Sequence, residues 1–186
     1  VLAVVALLSS IIPIAQMLVW AVQTLMHQNE LQGLWENTKN TVMVAFLAAV
    51  AVIVFALVVC NVARYFSAFW TKMPMWVGGF GYSFPSPVLA IGVLGLLISV
   101  DKWLHSMQWV NNPLLLTSSL FTWVFASVIK YAAVGINGID SGFVRVGKRY
   151  SEASRTLGQG MTATFFEVDV FTIKHSIIAA FILVFI

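Results

Sequence analysis

The sequence predicts an all-α fold, a polytopic bundle of transmembrane helices, from two observations. Of the 186 residues, 60% are hydrophobic and only 9% are charged, whereas an ordinary globular domain has roughly 25% charged residues. The apolar residues also lie in long blocks, and a helix that crosses a bilayer needs about 20 residues of this kind. So few charges could not cover the surface of a soluble protein of this size, which excludes that class.

Five hydrophobic blocks follow one another, and we expect each to form one membrane span. The first contains Pro13, which neighbouring helices can accommodate within a span. The blocks are Val1 to Leu25, Thr41 to Ala63, Val77 to Val100, Leu114 to Ile136, and a fifth that begins near Ile173. The segments between them are expected to be connections: His27 to Asn40, Tyr65 to Trp76, Asp101 to Pro113 and Asn137 to Lys174.

Both ends of the chain lie within apolar runs. The chain begins at Val1 and stops at Ile186, inside the fifth block. We therefore expect residues 1–186 to be a single transmembrane domain, a fragment of a longer protein whose last span is truncated here.

Lysine and arginine are unevenly distributed between the two sets of connections. The segments 27–40 and 101–113 contain only Lys39 and Lys102. The other set contains Arg64, Lys72, Arg145, Lys148, Arg149, Arg155 and Lys174. Because basic residues favour the cytoplasmic side of a membrane, the segment 137–174 is expected to face the cytoplasm.

The segment 137–174 has features of a docking element. Ser151 is placed to cap a short helix over Glu152 to Leu157, and Gly158 to end it in the left-handed conformation. A second amphipathic stretch, Met161 to Val170, leads into the fifth block. Two short helices joined at a glycine suit the docking of a soluble partner. The alternative is a solvated loop that only anchors the topology.

Three further patterns bear on catalysis and metal binding. Gly142 to Arg149 nearly matches a phosphate-binding P-loop, but its last position lacks the required hydroxyl and no strand precedes it. Cys60 lies in an apolar block, which suits buried packing and excludes a disulfide framework. His27, His105 and His175 do not have the spacing of metal ligands on one helix. The chain is therefore not expected to be an enzyme or to hold a metal.

The docking-like segment resembles a family motif. Glu152-Ala153-Ser154, three residues, Gly158, nine residues and then Val168-Asp169-Val170 is similar to the EAA motif of ABC importer permeases. That motif has Glu-Ala-Ala, three residues, Gly, nine residues, and then an apolar residue, any residue, an apolar residue and proline. The sequence departs from it at two positions, because Ser154 replaces the second alanine and Phe171 stands in place of the proline.

The resemblance extends, in order and spacing, over essentially the whole chain. Tyr82 to Gly92 is similar to the proline-containing start of a central helix in these permeases, and Trp35 to Thr38 is similar to the entry of an earlier helix. Ile173 to Phe181 is similar to the helix that follows the motif. Within the family the chain looks most like the C-terminal half of fused ferric-iron permeases. Permeases for thiamine, phosphonate, polyamines and sulfate are near relatives.

The resemblance implies a type I importer architecture with a set of partners. The EAA helix of such a permease docks on a cytoplasmic ATPase dimer, which binds ATP and magnesium, and ATP binding turns the membrane cavity outward. A periplasmic binding protein delivers the substrate, and a second permease half completes the pathway through the lipid bilayer. The chain itself is then expected to bind no cofactor and no nucleic acid, and to lie in a bacterial inner membrane.

Two groups of site residues follow. The motif implies that Glu152, Ala153, Ser154 and Gly158 dock on the ATPase. The basic neighbours Arg145, Lys148, Arg149 and Arg155 are added because they can pair with acidic groups of a partner, with topology anchoring as the alternative. Phe84, Pro85, Ser86 and Pro87 are expected near the translocation pathway, since transporters break helices beside cavities. The interfacial start of a helix is the alternative there.

Three other classes of membrane protein compete with this hypothesis. An ion-gradient-driven transporter would place charged residues inside its spans, and only Lys130 comes close to that. A membrane-embedded enzyme would need clustered His, Asp or Glu at one depth. A purely structural protein does not explain the EAA-like segment. An ABC importer permease, with ferric iron as the expected substrate, is therefore the leading hypothesis.

Overall fold

The computed structural model describes residues 2–26, 30–66, 69–108 and 114–186. In this part of the chain every regular element is helical and there is no strand, which confirms the all-α prediction. The chain divides into two compact units, Val1–Met43 and Val44–Ile186.

The helices follow one another in chain order and end in a series of short elements. They are α1 (Leu2–Met26), α2 (Glu30–Tyr65), α3 (Phe69–Ser83), α4 (Ser86–Ser106), α5 (Leu120–Val146), α6 (Arg149–Thr156), α7 (Met161–Ala163), a π-helical turn (Thr164–Asp169), α8 (Val170–Thr172) and α9 (Lys174–Phe185). The first unit contains α1 and the start of α2, and the second contains all the rest.

Three helices of the described chain are long and apolar enough to cross a membrane. They are Gly33–Tyr65, Ser86–Ser106 and Leu120–Val146. A fourth span results if Met161–Thr172 and Lys174–Phe185, which meet at a bend of 73°, count as one. The described side chains of α1 give a shorter apolar helix over Ser9–Thr24. The expectation of several membrane-embedded helices is thus met, while five spans and a type I permease architecture remain predictions.

Large apolar side chains are exposed along these helices. Val54 in α2, Ile91 in α4 and Trp123 in α5 are 55%, 72% and 68% exposed. Apolar surface on this scale would promote aggregation in water, but it matches the acyl chains of a bilayer. The burial pattern therefore agrees with the composition: the chain is built to be covered by lipid or by other membrane helices.

The predicted connection His27 to Asn40 is wrong over its described part, because α2 begins at Glu30. Thr38 and Thr41 donate their hydroxyl hydrogens to carbonyls one turn earlier, over 2.7 and 2.8 Å. The hydroxyl groups of these threonines are therefore hydrogen-bonded to the backbone of α2 itself. The polar residues of this stretch are thus compatible with a continuous helix. His27 itself lies outside the described residues.

The predicted connection Tyr65 to Trp76 and the predicted single span Val77 to Val100 are also wrong. Helix α3 occupies most of that connection and stops at Ser83, and α4 begins at Ser86. Pro85 has φ −56° and ψ 135° and stands at the start of α4. A proline disfavours helical geometry in the residue before it, so the break falls at Phe84-Pro85 and divides the block in two.

Helix α5 runs ten residues past the predicted end of the fourth block, from Ile136 to Val146. Its polar stretch also contains Gly138 and Gly142, which allow a close approach to α9. A Cβ atom on Gly138 would lie 2.7 Å from the Ala180 Cβ, and one on Gly142 would lie 2.7 Å from the Ser176 side chain. The helix thus continues, packed closely on α9 through small residues, where its polarity predicted a loop.

Asp101, predicted to start a connection, lies within α4 and is buried. Its carboxylate accepts hydrogen bonds from the backbone N–H groups of Leu116 and Thr117, both at 2.9 Å, and from the Thr117 hydroxyl at 2.7 Å. These bonds tie the end of α4 to the turn that precedes α5. A charged residue therefore need not mark the end of a helix when its side chain has hydrogen-bond partners within the protein.

The core of the second unit forms where α2, α5 and α9 meet. It consists mainly of small and β-branched side chains, among them Val52, Ala56, Ile136, Ile139 and Ala180, each no more than 2% exposed. On the other side of α5, α3 lies close enough that a Cβ on Gly81 would come within 1.9 Å of the Ile129 carbonyl oxygen. Helix α5 is thus the central element on which α2, α3 and α9 are assembled.

Candidate functional site

The EAA-like segment folds into a helical hairpin, here defined as Arg149–Thr172. Its first helix, α6, ends at Thr156, and Gly158 closes it in the left-handed conformation with φ +88°, as predicted. The Gln159 N–H donates to the Ser154 carbonyl at 3.3 Å and the Gly158 N–H to the Arg155 carbonyl at 3.0 Å. This is the Schellman arrangement, in which a left-handed glycine lets two terminal carbonyls be satisfied.

The predicted capping role of Ser151 is wrong. Helix α6 starts at Arg149, after Gly147 has ended α5 with φ +73°, and Lys148 stands at the N-cap without a side-chain cap. Ser151 therefore falls inside the first turn and points inward. Its hydroxyl donates to Asp169 Oδ1 at 2.5 Å, and both residues are buried.

The two arms of the hairpin are joined by hydrogen bonds of their own. The hydroxyls of Ser154 and Thr164 are 3.1 Å apart, and both residues are buried. Gln159 Nε2 donates to Glu167 Oε2 at 3.1 Å, and its amide oxygen accepts from the Ser154 hydroxyl at 3.2 Å. Ser154, the departure from the motif's second alanine, thus has a role inside the hairpin rather than on its surface.

Asp169 is the centre of the site, and with Arg64, Tyr65 and Ser151 it forms what we call the Asp169 cluster. The Arg64 guanidinium pairs with Oδ1 at 2.9 Å, and the Tyr65 hydroxyl donates to Oδ2 at 3.0 Å. The Asp169 side chain is buried and that of Arg64 is 9% exposed, and this is the sole ion pair among the residues described. The cluster therefore fixes the far arm of the hairpin to the end of α2.

Arg64 extends the cluster to α5. Its second terminal nitrogen donates to the Gly147 carbonyl, the residue that ends α5, at 2.5 Å. The guanidinium also lies over the Phe143 ring, 4.8 Å from its centroid, a favourable cation–π geometry. One side chain thus connects the ends of two long helices with the hairpin.

The outer face of the hairpin is open. Glu152 and Ala153 are exposed, and Leu157 is 85% exposed. Arg155 is exposed too, with its guanidinium 5.8 Å from the centroid of the Tyr65 ring. Of the four residues carried over from the motif, Glu152, Ala153 and Gly158 are therefore on the surface.

The other predicted basic residues surround the base of the hairpin. Arg145, Lys148 and Arg149 are at least partly exposed. Lys148 lines two hollows. The larger, of about 460 Å³, lies between α2, α3 and α5 and includes Cys60 and Asp140. The smaller, of about 140 Å³, lies against α6 and includes Glu152 and Arg155. The predicted basic residues Arg145, Lys148, Arg149 and Arg155 are thus gathered at one end of the second unit.

The predicted pathway residues lie elsewhere, at the break between α3 and α4. Phe84 is 54% exposed, and Pro85, Ser86 and Pro87 are exposed as well. The Ser86 hydroxyl is bonded by the Lys130 ammonium, which comes from the middle of α5. The structure therefore separates the two predicted groups and brings the pathway segment to a lysine that no sequence motif connects with it.

Sequence reasoning missed the Asp169 cluster. In the sequence Arg64 counts only as a basic residue on one side of the membrane, and Asp169 occupies the unspecified position of the motif. A signal does exist, because Arg64 and Tyr65 close an otherwise apolar block and Asp169 lies between two valines. Buried charges need partners, but the pairing spans more than a hundred residues and no local pattern predicts it.

The P-loop-like stretch does not have the geometry of a phosphate site. Gly142 lies inside α5 and is packed on α9, and Gly147 ends the helix. A strand, a loop and then a helix would be required.

Comparison with protein-family models, with curated proteins and with solved structures finds no match for this chain.

Proposed function

We propose that this chain is a membrane permease subunit of an ATP-driven ABC importer, and that the hairpin Arg149–Thr172 docks on a cytoplasmic ATPase. The observation that carries the proposal is the two-sided construction of the hairpin. Its inner face is fixed to the bundle through Asp169, and its outer face presents Glu152, Ala153 and Leu157 without covering them.

The anchoring supports a coupling role over that of a loop that only sets topology. A topology anchor needs basic charge on the correct side of the membrane and no buried contacts. Here the carboxylate of Asp169 receives Arg64, Tyr65 and Ser151, and Arg64 also reaches the end of α5. A displacement of the hairpin by a partner would therefore move the ends of α2 and α5 with it.

The sharp exit from the hairpin also supports this role. The motif has a proline where this chain has Phe171, yet the chain bends by 73° at the junction with α9. Ile173 is buried there, and its carbonyl accepts the Ser176 N–H at 2.9 Å. The buried side chain of Ile173 and the start of α9 thus produce the change of chain direction that the motif's proline would otherwise favour.

The proposal includes partners and a location. ATP and magnesium would be held by the ATPase dimer, a periplasmic binding protein would deliver the substrate, and a second permease half would complete the pathway in a bacterial inner membrane. Ferric iron, the substrate that the resemblance favours, remains a proposal without a supporting contact among the residues described.

The test is a crosslink between the hairpin and the ATPase in the full-length transporter. Cys60 is first replaced by alanine, and Leu157, the most exposed side chain at the end of α6, is replaced by cysteine. We expect a crosslink to the ATPase whose yield changes when ATP is added. A folded, assembled complex with no crosslink would overturn the docking proposal and return the hairpin to a topology anchor.

Two aspartate variants provide a matched control. Gly158→Asp adds a Cβ at φ +88° and a negative charge at the C-terminal end of α6, which its dipole disfavours. Gly160→Asp adds the same charge two residues away at a helix N-cap with open space, where aspartate is favourable. We expect Gly158→Asp to abolish the ATP-sensitive crosslink and Gly160→Asp to retain it.

A further inference from the structure

Lys130 is a charged residue in the middle of a membrane-spanning helix. It lies ten residues after the start of α5 at Leu120, which places it about 15 Å along the helix. Of the charged residues in the candidate spans, Lys130 lies furthest from a helix end, whereas Lys39 and Asp140 each lie six residues from the nearest end of their spans. Lys130 is therefore the ionisable group that the bilayer penalises most.

The ammonium of Lys130 has no counter-charge among the described side chains. It donates a hydrogen bond to the Ser86 hydroxyl and lies over the ring of Tyr131, 5.4 Å from the centroid. The sole described ion pair, Arg64–Asp169, is a separate one. A hydroxyl dipole and an aromatic face stabilise a cation but do not neutralise it. Within the part of the chain that the structure describes, the ammonium of Lys130 is thus hydrogen-bonded but not neutralised.

The surroundings of Lys130 are open and irregular. Ser86 follows the break between α3 and α4, and this break lies alongside the middle of α5, since Gly81 contacts Ile129 and Asp101 contacts Leu116. Ser86 is exposed, and Lys130 is half-buried. Non-helical backbone at membrane depth is tolerated where it is buried in protein or lines a water-filled cavity, and transporters bind substrate at such broken helices.

We infer that Lys130 and Ser86 form a binding site for an anionic group of the transported substrate, an oxyanion or a carboxylate. The inference rests on the proposed transport function and specifies the substrate class. Lys130 supplies the charge, and the Ser86 hydroxyl orients it and adds a further hydrogen bond. A bare ferric cation would be repelled, so iron would pass this point only within an anionic complex.

The test is uptake of a panel of probes by the full-length transporter, reconstituted with its ATPase and binding protein. The probes are phosphate, sulfate, citrate, thiamine, and ferric iron with and without citrate. We expect ATP-dependent uptake of an anionic probe. Lys130→Met should reduce that uptake by about tenfold or more, because a charge-assisted hydrogen bond is lost, and Lys130→Arg should preserve most of it.

The matched control is Lys102→Met, which removes an exposed lysine near the end of α4 and should leave uptake unchanged. Uptake of an anion that is equal in Lys130→Met and wild type would overturn the inference, as would uptake of thiamine or uncomplexed iron alone. The ATP-sensitive crosslink at Leu157, measured in the same vesicles, separates the two proposals. If the crosslink is present and no anion is carried, the anion site is wrong; if the crosslink is absent from the assembled complex, the docking proposal is wrong.

Discussion

Asp169 shows how much one residue contributes to this fold. Its two carboxylate oxygens receive a guanidinium, a phenol hydroxyl and a serine hydroxyl from two separate parts of the chain. Burial of a charge is unfavourable unless it is paired and hydrogen-bonded, and here both oxygens have partners. The residue therefore makes the position of the hairpin depend on the end of α2.

Removing this carboxylate is expected to be strongly destabilising. Asp169→Ala leaves the Arg64 guanidinium buried without its partner, and breaking a buried pair in this way typically costs about 3–5 kcal/mol. The measurement is thermal or denaturant unfolding of the purified full-length protein in detergent. The double variant Arg64→Met with Asp169→Ala should lose less than the two single variants added together. Strict additivity would show that the pair is not coupled.

A matched control for Asp169 is available in the same turn. Glu167 is exposed and is bonded by the Gln159 amide at 3.1 Å. Because an exposed side chain remains hydrated when its partner is lost, Glu167→Gln should change stability by no more than about 0.5 kcal/mol. Equal losses in Asp169→Ala and Glu167→Gln would contradict the assignment of Asp169 as the anchor.

Gly158 and Gly160 differ in the sign of φ, and this difference predicts different effects of alanine at the two positions. Gly158 has φ +88°, whereas Gly160 has φ −70°, and at neither position would an added Cβ meet another atom within 4 Å. Alanine at 158 should therefore cost about 1 kcal/mol for the left-handed backbone, and alanine at 160 should be neutral or slightly stabilising. Limited proteolysis of the hairpin, together with unfolding, measures the difference.

At the scale of elements, the contact between α3 and α5 depends on Gly81. A Cβ there would lie 1.9 Å from the Ile129 carbonyl oxygen, which is backbone and cannot rotate away. We expect Gly81→Ala to destabilise the protein by about 1–3 kcal/mol, the usual effect of overpacking. Gly79 lies in the same helix with open space around its Cβ position. Gly79→Ala should instead stabilise α3 by up to about 1 kcal/mol, and loss of stability in both variants alike would contradict the close contact.

The helices themselves could be predicted from composition, but several of their ends could not. The apolar blocks predict α1, α2 and α5, and the start of α9 near Ile173 is correct, whereas the block Val77 to Val100 is divided between α3 and α4. The errors fall where polar or small residues make contacts that the sequence does not display: Thr38 bonding its own helix, Gly142 against Ser176, and Asp101 accepting three hydrogen bonds. In each case the extent of the helix is determined by contacts within the folded chain and cannot be predicted from local polarity.

The candidate site was predictable in part for the same reason. Gly158 can be identified because a left-handed helix end has a strong local signature. The link from Asp169 to Arg64 and the contact of Lys130 with Ser86 join residues far apart in the chain. Such pairs become visible only when the helices are assembled.

At the scale of the whole molecule, the distribution of exposed side chains separates two kinds of surface. Val54 and Ile91 are exposed apolar side chains on the candidate membrane spans α2 and α4, whereas Leu157 is exposed at the end of the short polar helix α6. If the chain is embedded as proposed, the first two contact lipid or another membrane helix and the third contacts the cytoplasm. The three positions therefore probe the insertion of the chain and its orientation together.

Cysteine labelling in membranes tests this arrangement. In a Cys60→Ala background we expect Val54→Cys and Ile91→Cys to resist a membrane-impermeant maleimide until detergent is added, because apolar surroundings exclude the reagent and suppress the thiolate. Leu157→Cys should react in inverted vesicles and not in intact cells, since the positive-inside rule predicts that α6 faces the cytoplasm. Rapid labelling of Val54→Cys and Ile91→Cys without detergent would contradict the membrane embedding. Labelling of Leu157→Cys from outside intact cells would reverse the orientation, and a hairpin on that side could not meet a cytoplasmic ATPase.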